Sequence, residues 1–351
     1  MEFQTHSEKA FRNKITYFSF VLSFFVIGIH TYNVSVYGLS ERNDPLSKVV
    51  IYVEDYVRNI SNICVPFFFI ISGYLFFRTF EWKKLLDKYR SRLFTVAVPY
   101  FLWCCIYYLY YCTISRIPSV GGYINNGMPI EVSIPMWIEW LWTQSYYTLW
   151  FMKELIILIV ASPIIYIISK NYKYFPMGVL TLAAALLCAL GVIQNKIYSF
   201  NVYYLLGAYI GINCKDVPII KNSGLTVLSR IILSGVLCYY LWNVHTEISD
   251  NVLVVILLCI TFWWSFDGVS YETSPKWWMG ISFFIYCAHD IFLEGLEKIF
   301  LLVFGKKSIW ALLDYIFMPV IVMLICIFGA TILRSYLPLM WKVLTGGRKG
   351  E

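Results

Sequence analysis

Apolar runs of roughly twenty residues recur from residue 15 to residue 334, with short polar segments between them. A helix rising about 1.5 Å per residue needs about 20 such residues to cross a hydrocarbon core of about 30 Å. The pattern predicts ten spans, near 15–36, 60–80, 93–113, 147–168, 174–192, 198–214, 224–243, 251–267, 277–298 and 309–334. The expected fold class is therefore all-α: a polytopic membrane bundle forming one unit over residues 1–351, with 1–14 and 335–351 outside the bilayer. The longest connection, 114–146, begins with the turn-rich "SRIPSVGGYINNGMPIEVSIP" and continues into the aromatic "MWIEWLWTQSYY", which reads as an interfacial helix.

Composition supports a bundle over a soluble domain with one anchor. The 351 residues are 59% hydrophobic, 19% aromatic and only 14% charged, against about a quarter charged in soluble domains. Mean hydropathy is +0.66. The net charge of +7 needs no nucleic-acid partner, because Lys and Arg collect on the cytoplasmic side of membrane proteins. With the N-terminus inside, eighteen Lys and Arg fall in inner segments and eight in outer ones. That asymmetry predicts both termini in the cytoplasm; the expected location is the plasma (inner) membrane. The ten cysteines sit almost entirely in apolar runs, with no CxxC and no Cys/His cluster at metal spacing, so they read as small buried residues and no metal is expected. The polar opening "MEFQTHSEKAFRNK" does not resemble a cleaved signal. No P-loop, GxGxxG or GxSxG occurs.

Polar groups inside the spans carry the chemistry. Such groups are costly in lipid and normally face the bundle interior. In the first span, Ser19, Ser23, His30 and Asn33 are spaced to share one helical face. The serines alone read as helix–helix glue. His30 reads as functional, because imidazole titrates near neutrality and suits general base work. At about 1.5 Å per residue, His30, the pair Lys153–Glu154 and the pair His289–Asp290 all fall roughly 9–13 Å below the outer membrane face. Three helices thus place ionisable groups at one level, as a proton-handling site or as a charge-neutralised structural cluster.

A dense basic stretch, Lys83, Lys84, Lys88, Arg90 and Arg92, marks the inner mouth of the third span. Charge alone suits topology and attraction to anionic membrane lipids. A phosphate site is the sharper reading.

Several stretches, in order along nearly the whole chain, resemble the membrane acyltransferase family 3, which includes O-acetyltransferases of O-antigen, capsule and peptidoglycan. They are "VPFFFIISGYLFFR" (65–78), "YRSRLFTVAVPYFLW" (89–103), "YTLWFMKELIILIVASPIIY" (147–166), "FNVYYLLGAYIG", "ISFFIYCAHDIFL" and the tail "LPLMWKVLTGGR". The resemblance implies ten spans and transfer of an acyl group from acyl-CoA on the cytoplasmic side to a hydroxyl, usually of a glycan. The family's span-one histidine matches His30. Its basic motif matches the stretch holding Arg90 and Arg92, and its Trp-Phe element matches Lys153 and Glu154. The chain departs from the family pattern at Ser19, where many members carry arginine, at Thr16, where they often have Asp, and in Arg-Ser-Arg instead of Arg-x-x-Arg.

The mechanism so implied uses acetyl-CoA as donor, its phosphates on Lys88, Arg90 and Arg92 and its arm passing Ser72 and Tyr74. His30 is the expected base, oriented by Glu154 or Asp290, with Lys153, Ser72 or Tyr74 stabilising the oxyanion. His289 is a second base, a relay or a packing group. Asn33, Tyr147 and Trp150 are expected on the acceptor side, which receives a surface glycan or a lipid-linked saccharide. The rival readings are a transporter or flippase of an acylated glycan or small metabolite, and a non-catalytic partner of a polymerase.

Overall fold

The computed structural model describes residues 2–117, 129–143, 148–171, 196–214, 224–243, 252–268, 271 and 273–348. Among them there is no strand: fourteen α-helices carry the fold. In a hydrocarbon solvent a helix satisfies its own backbone, which is why apolar runs become helices here. They are α1 (Glu2–His30), α2 (Pro45–Ser61), α3 (Cys64–Phe77), α4 (Leu85–Arg92), α5 (Val98–Ile114), α6 (Ile134–Thr143), α7 (Trp150–Val160), α8 (Ser162–Asn171), α9 (Lys196–Asn213), α10 (Gly224–Asn243), α11 (Val252–Ser265), α12 (Ser282–Phe304), α13 (Ser308–Tyr336) and α14 (Pro338–Leu344).

Among the described residues, four helical stretches are long and apolar enough to cross a membrane: Glu8–His30, Pro45–Phe77, Trp82–Ile114 and Ser308–Tyr336. A fifth forms if α7 and α8, bent by 62° at their junction, count as one. The bend breaks the span expected at 147–168, because Pro163 has no N–H to continue the ladder. The span expected at 174–192 lies outside the described residues.

Two boundaries differ from the sequence pattern. The first helix stops at His30, not near residue 36. The backbone N–H of Asn33 bonds Glu54 Oε2 at 2.9 Å, so a side chain from α2 replaces the helical carbonyl. Asn33 therefore stands beyond the helix, not on its face with Ser19, Ser23 and His30. Residues 37–59, read as an outer connection, hold most of α2, which runs on to Ser61. Asp44 caps it by accepting from the Ser47 N–H at 2.9 Å, and Pro45 fits its first turn.

Close packing explains one motif. α3 and α9 cross with backbones in contact, and Gly207 and Gly211, spaced as GxxxG, permit it. A Cβ at Gly207 would collide with the Ile70 carbonyl, and one at Gly211 would lie 2.6 Å from Tyr74 O. Aromatic rings lock the rest: Phe18 sits 4.3 Å from Phe67 and 4.9 Å from Phe266, centroid to centroid. Below them Lys14, fully buried, pairs with Asp267 and lies 3.6 Å over Trp263. α1 packs on both α12 and α13, which sets the ends of the first and last spans against each other. The short α14 folds back on the bundle, where Trp103 Nε1 donates to Leu344 O at 3.1 Å and Trp341 packs on Phe284.

Candidate active site

The end of α1 and the middle of α12 bring His30 and His289 together, ring centroids 5.1 Å apart and inclined by 52°. His289 is fully buried. Its Nδ1 faces Tyr286 O at 2.8 Å and Ile285 O at 3.1 Å. Two carbonyls require a donor, so the proton is assigned to Nδ1, leaving Nε2 as a lone-pair acceptor. That Nε2 meets no hydrogen-bond partner among the described residues. Asp290 lies beside it, and one ligand atom each from His30, His289 and Asp290 fall within 4.8 Å of one another. This spacing suits proton exchange and is also compatible with a small cation.

Carboxyl groups continue from the histidines toward the far end of α12. Asp290, Glu294 and Glu297 fall on one face at i, i+4 and i+7. Glu54 from α2 and Asp314 from α13 stand nearby, both almost fully buried. Asn33 Nδ2 donates to Ala311 O at 3.1 Å and Asp314 Oδ2 at 3.3 Å, and Tyr37 donates to the same carboxyl at 3.2 Å. Tyr111 donates to Glu294 at 2.7 Å. Even so, one oxygen each of Glu54, Asp290, Glu294, Glu297, Asp314 and Asn33 is buried without a hydrogen-bond partner among the described residues. Buried polar groups without partners are rare in native interiors.

On the other side of the histidines a cavity of about 540 Å³ runs toward the basic end of the bundle. Arg12, Arg92 and Arg348 line it, with Thr16, Ser19 and Ser72. Its walls are apolar: Phe68, Ile71, Phe151, Met152 and Leu155. Tyr286 also lines it, and the Tyr286 carbonyl is the one that holds His289 Nδ1. The cavity thus reaches within one helical turn of the histidine pair. Burial pushes the Arg348 guanidinium down to about 10, so it stays charged at neutral pH.

The expected residues divide by where their helices turn them. Ser72 and Arg92 line the cavity; Arg90 does not and is exposed. Lys88 is bonded to Phe76 O at 2.8 Å and Thr79 Oγ1 at 2.9 Å, at the end of α3. Tyr74 packs against Phe11 at 5.7 Å, away from the cavity. On α7 the cavity takes Phe151, Met152, Leu155 and Ile159. At about 100° per residue, Lys153 and Glu154 point more than roughly 100° from the centre of that arc. Trp150 lies 6.3 Å from Phe69, and Tyr147 lies outside the described residues. Sequence reasoning missed Arg348, Glu54, Glu294, Glu297 and Asp314. The i, i+4, i+7 acidic spacing on α12 was a signal that could have found two of them.

The family profile of an acyltransferase domain matches residues 13–338. The chain is also similar to the succinoglycan biosynthesis protein ExoH of Rhizobium meliloti (strain 1021), 23% identical over 314 residues, covering 84% of this chain and 81% of that protein. No solved structure matches.

Proposed function

Since the chain belongs to the acyltransferase-domain family and is a multi-pass membrane protein, we propose that it moves an acyl group, acetyl in the simplest case, from acyl-CoA to a hydroxyl of a cell-surface polysaccharide or its lipid-linked precursor. The observation that carries this reading is the cavity between the arginines of the basic end and Tyr286, one turn before the facing histidines. Its shape and lining suit a donor with an anionic head and a long, weakly polar arm.

In this reading the basic end is cytoplasmic, both termini lie inside, and the protein sits in the bacterial inner membrane with about ten spans. The donor's phosphates meet Arg92, and its arm runs past Ser72 toward the histidine level. The acceptor comes from the carboxyl-rich side, where unfilled oxygens of Glu54, Glu297 and Asp314 accept from sugar hydroxyls. The name of the ExoH relative, a protein of polysaccharide biosynthesis, agrees with such an acceptor. His30 withdraws the hydroxyl proton as the oxygen attacks the thioester carbon. The C–S bond breaks and the proton passes to the departing thiolate, so no net proton is released. His289 Nε2 orients His30 by accepting from its N–H when the rings close on substrate.

The test is transfer of label from [¹⁴C]acetyl-CoA to envelope glycan by purified protein in membranes. The wild type should label the glycan and His30→Ala at equal protein level should not. Label that stays in CoA with the wild type would favour a transporter and reject the proposal.

A further inference from the structure

Of the three guanidinium groups lining this cavity, those of Arg92 and Arg348 come from distant parts of the chain and differ from their charged neighbours. Arg12 and Arg78 share Glu8, Lys14 pairs with Asp267, and Lys84 with Glu81. Arg92 and Arg348 line the cavity and have no carboxylate partner among the described residues. Two like charges facing one partly buried space repel each other and carry an unbalanced desolvation cost. An anion with more than one negative charge offsets both.

The tail is shaped to bring Arg348 there. After α14, Gly346 and Gly347 adopt φ of 66° and 71°, the left-handed region that favours glycine. Gly346 lies against the backbone of Thr95, where a Cβ would come within 2.6 Å of Thr95 Cα and O. Thr95 belongs to a π-helical turn, Leu93–Ala97. Pro99, four residues later, has no N–H to give the Thr95 carbonyl, so the local ladder opens where the tail approaches. Beyond the glycines, Arg348 lies 3.8 Å over the Phe283 ring and spends one N–H on Thr345 O at 2.9 Å. A guanidinium has five donors, so most stay available.

We propose that Arg348, carried in on the Gly346–Gly347 turn, forms with Arg92 a two-guanidinium clamp on the phosphates of the acyl donor. The inference rests on the donor reading given above. It makes the tail part of the binding site, and the ligand a phosphorylated thioester carrier and not a free acyl thioester.

The experiment is equilibrium binding of radiolabelled acetyl-CoA to the full-length protein in nanodiscs, across a range of salt. Arg348→Ala should bind about tenfold more weakly, and its affinity should fall less steeply with ionic strength, because one phosphate contact is gone. Arg348→Lys should keep part of the affinity. Gly346→Val, which pushes the tail off Thr95 without touching a charge, should reproduce the weaker binding and the shallower salt dependence of Arg348→Ala. Arg348→Ala binding like wild type overturns the clamp, as does a tenfold loss with an unaltered salt slope. Wild-type protein that retains no acetyl-CoA overturns the donor reading itself, and the clamp with it.

Discussion

His289 faces His30 with ring centroids 5.1 Å apart, while the Tyr286 and Ile285 carbonyls hold its Nδ1. In the proposed transfer the two imidazoles have unequal roles. One has its tautomer set by backbone carbonyls, and the other is free to exchange a proton. His30→Ala should reduce acyl transfer by about 10²–10⁴-fold, the range of a lost general base. His289→Ala should reduce kcat with little change in donor KM. The double variant should be hardly worse than His30→Ala, because the two act as a unit. Steady-state transfer assays on the four proteins check this.

The α3–α9 contact predicts a folding defect without any chemical one. A side chain at Gly207 meets the Ile70 carbonyl, which is held in a helix and cannot swing aside. Gly207→Val should lower the yield and the thermal midpoint of the folded protein. Gly235→Val, where nothing lies within 4 Å of an added Cβ, should not. Size-exclusion profiles and tryptophan emission in detergent separate the two.

The buried Lys14–Asp267 pair gives a second stability test. Asp267→Asn strands a buried ammonium and should cost about 3–5 kcal/mol. Lys14→Met with Asp267→Leu removes both charges and should restore most of the loss. Chemical unfolding in mixed micelles measures the difference.

Asp44 predicts a pH dependence. Bonds from the Ser47 hydroxyl and N–H, and from Ser308, hold its carboxyl below the usual range. A lowered folded value means the cap of α2 stabilises fully above the unfolded value of about 3.9 and is lost as pH falls through the folded one. Asp44→Asn still caps but does not titrate. Its unfolding midpoint should therefore decline less than that of the wild type between about pH 5 and pH 2.

The bundle was legible in the sequence because hydropathy at the length of a span reports directly on what lipid accepts. His30, His289 and Asp290 were legible because ionisable groups are rare there, and depth counted in residues placed them at one level. The same counting put Lys153 and Glu154 at their level, but depth does not give azimuth: the face α7 turns to the cavity is that of Phe151, Met152 and Leu155. α2 was missed because Lys48, Glu54, Asp55 and Arg58 break its apolar pattern, although Glu54 faces inward and takes the Asn33 N–H just past the end of α1. Arg348 was hidden for a different cause. Its place depends on a glycine turn meeting a proline-opened helix over 240 residues earlier, and no local pattern records that meeting.

The carboxyl groups beyond the histidines allow donor and acceptor sides to be separated by kinetics. Glu54 and Asp314 each keep one oxygen buried without a partner, and each is anchored through the other by Asn33 or Tyr37. The hydroxyl-rich acceptor proposed above would supply the donors those oxygens lack. Glu54→Gln and Asp314→Asn keep the shape but replace an acceptor by an amide that also donates. If the carboxyls hold the acceptor, its KM should rise about tenfold or more per substitution, the scale of a hydrogen bond to a charged group. The KM for acyl-CoA should stay within about twofold, because the arginine-lined cavity proposed for the donor lies on the opposite side of His289. A matched rise in both constants would mean that the carboxyls only brace α1 against α13, and a fall in kcat alone would move them into the proton path of His30.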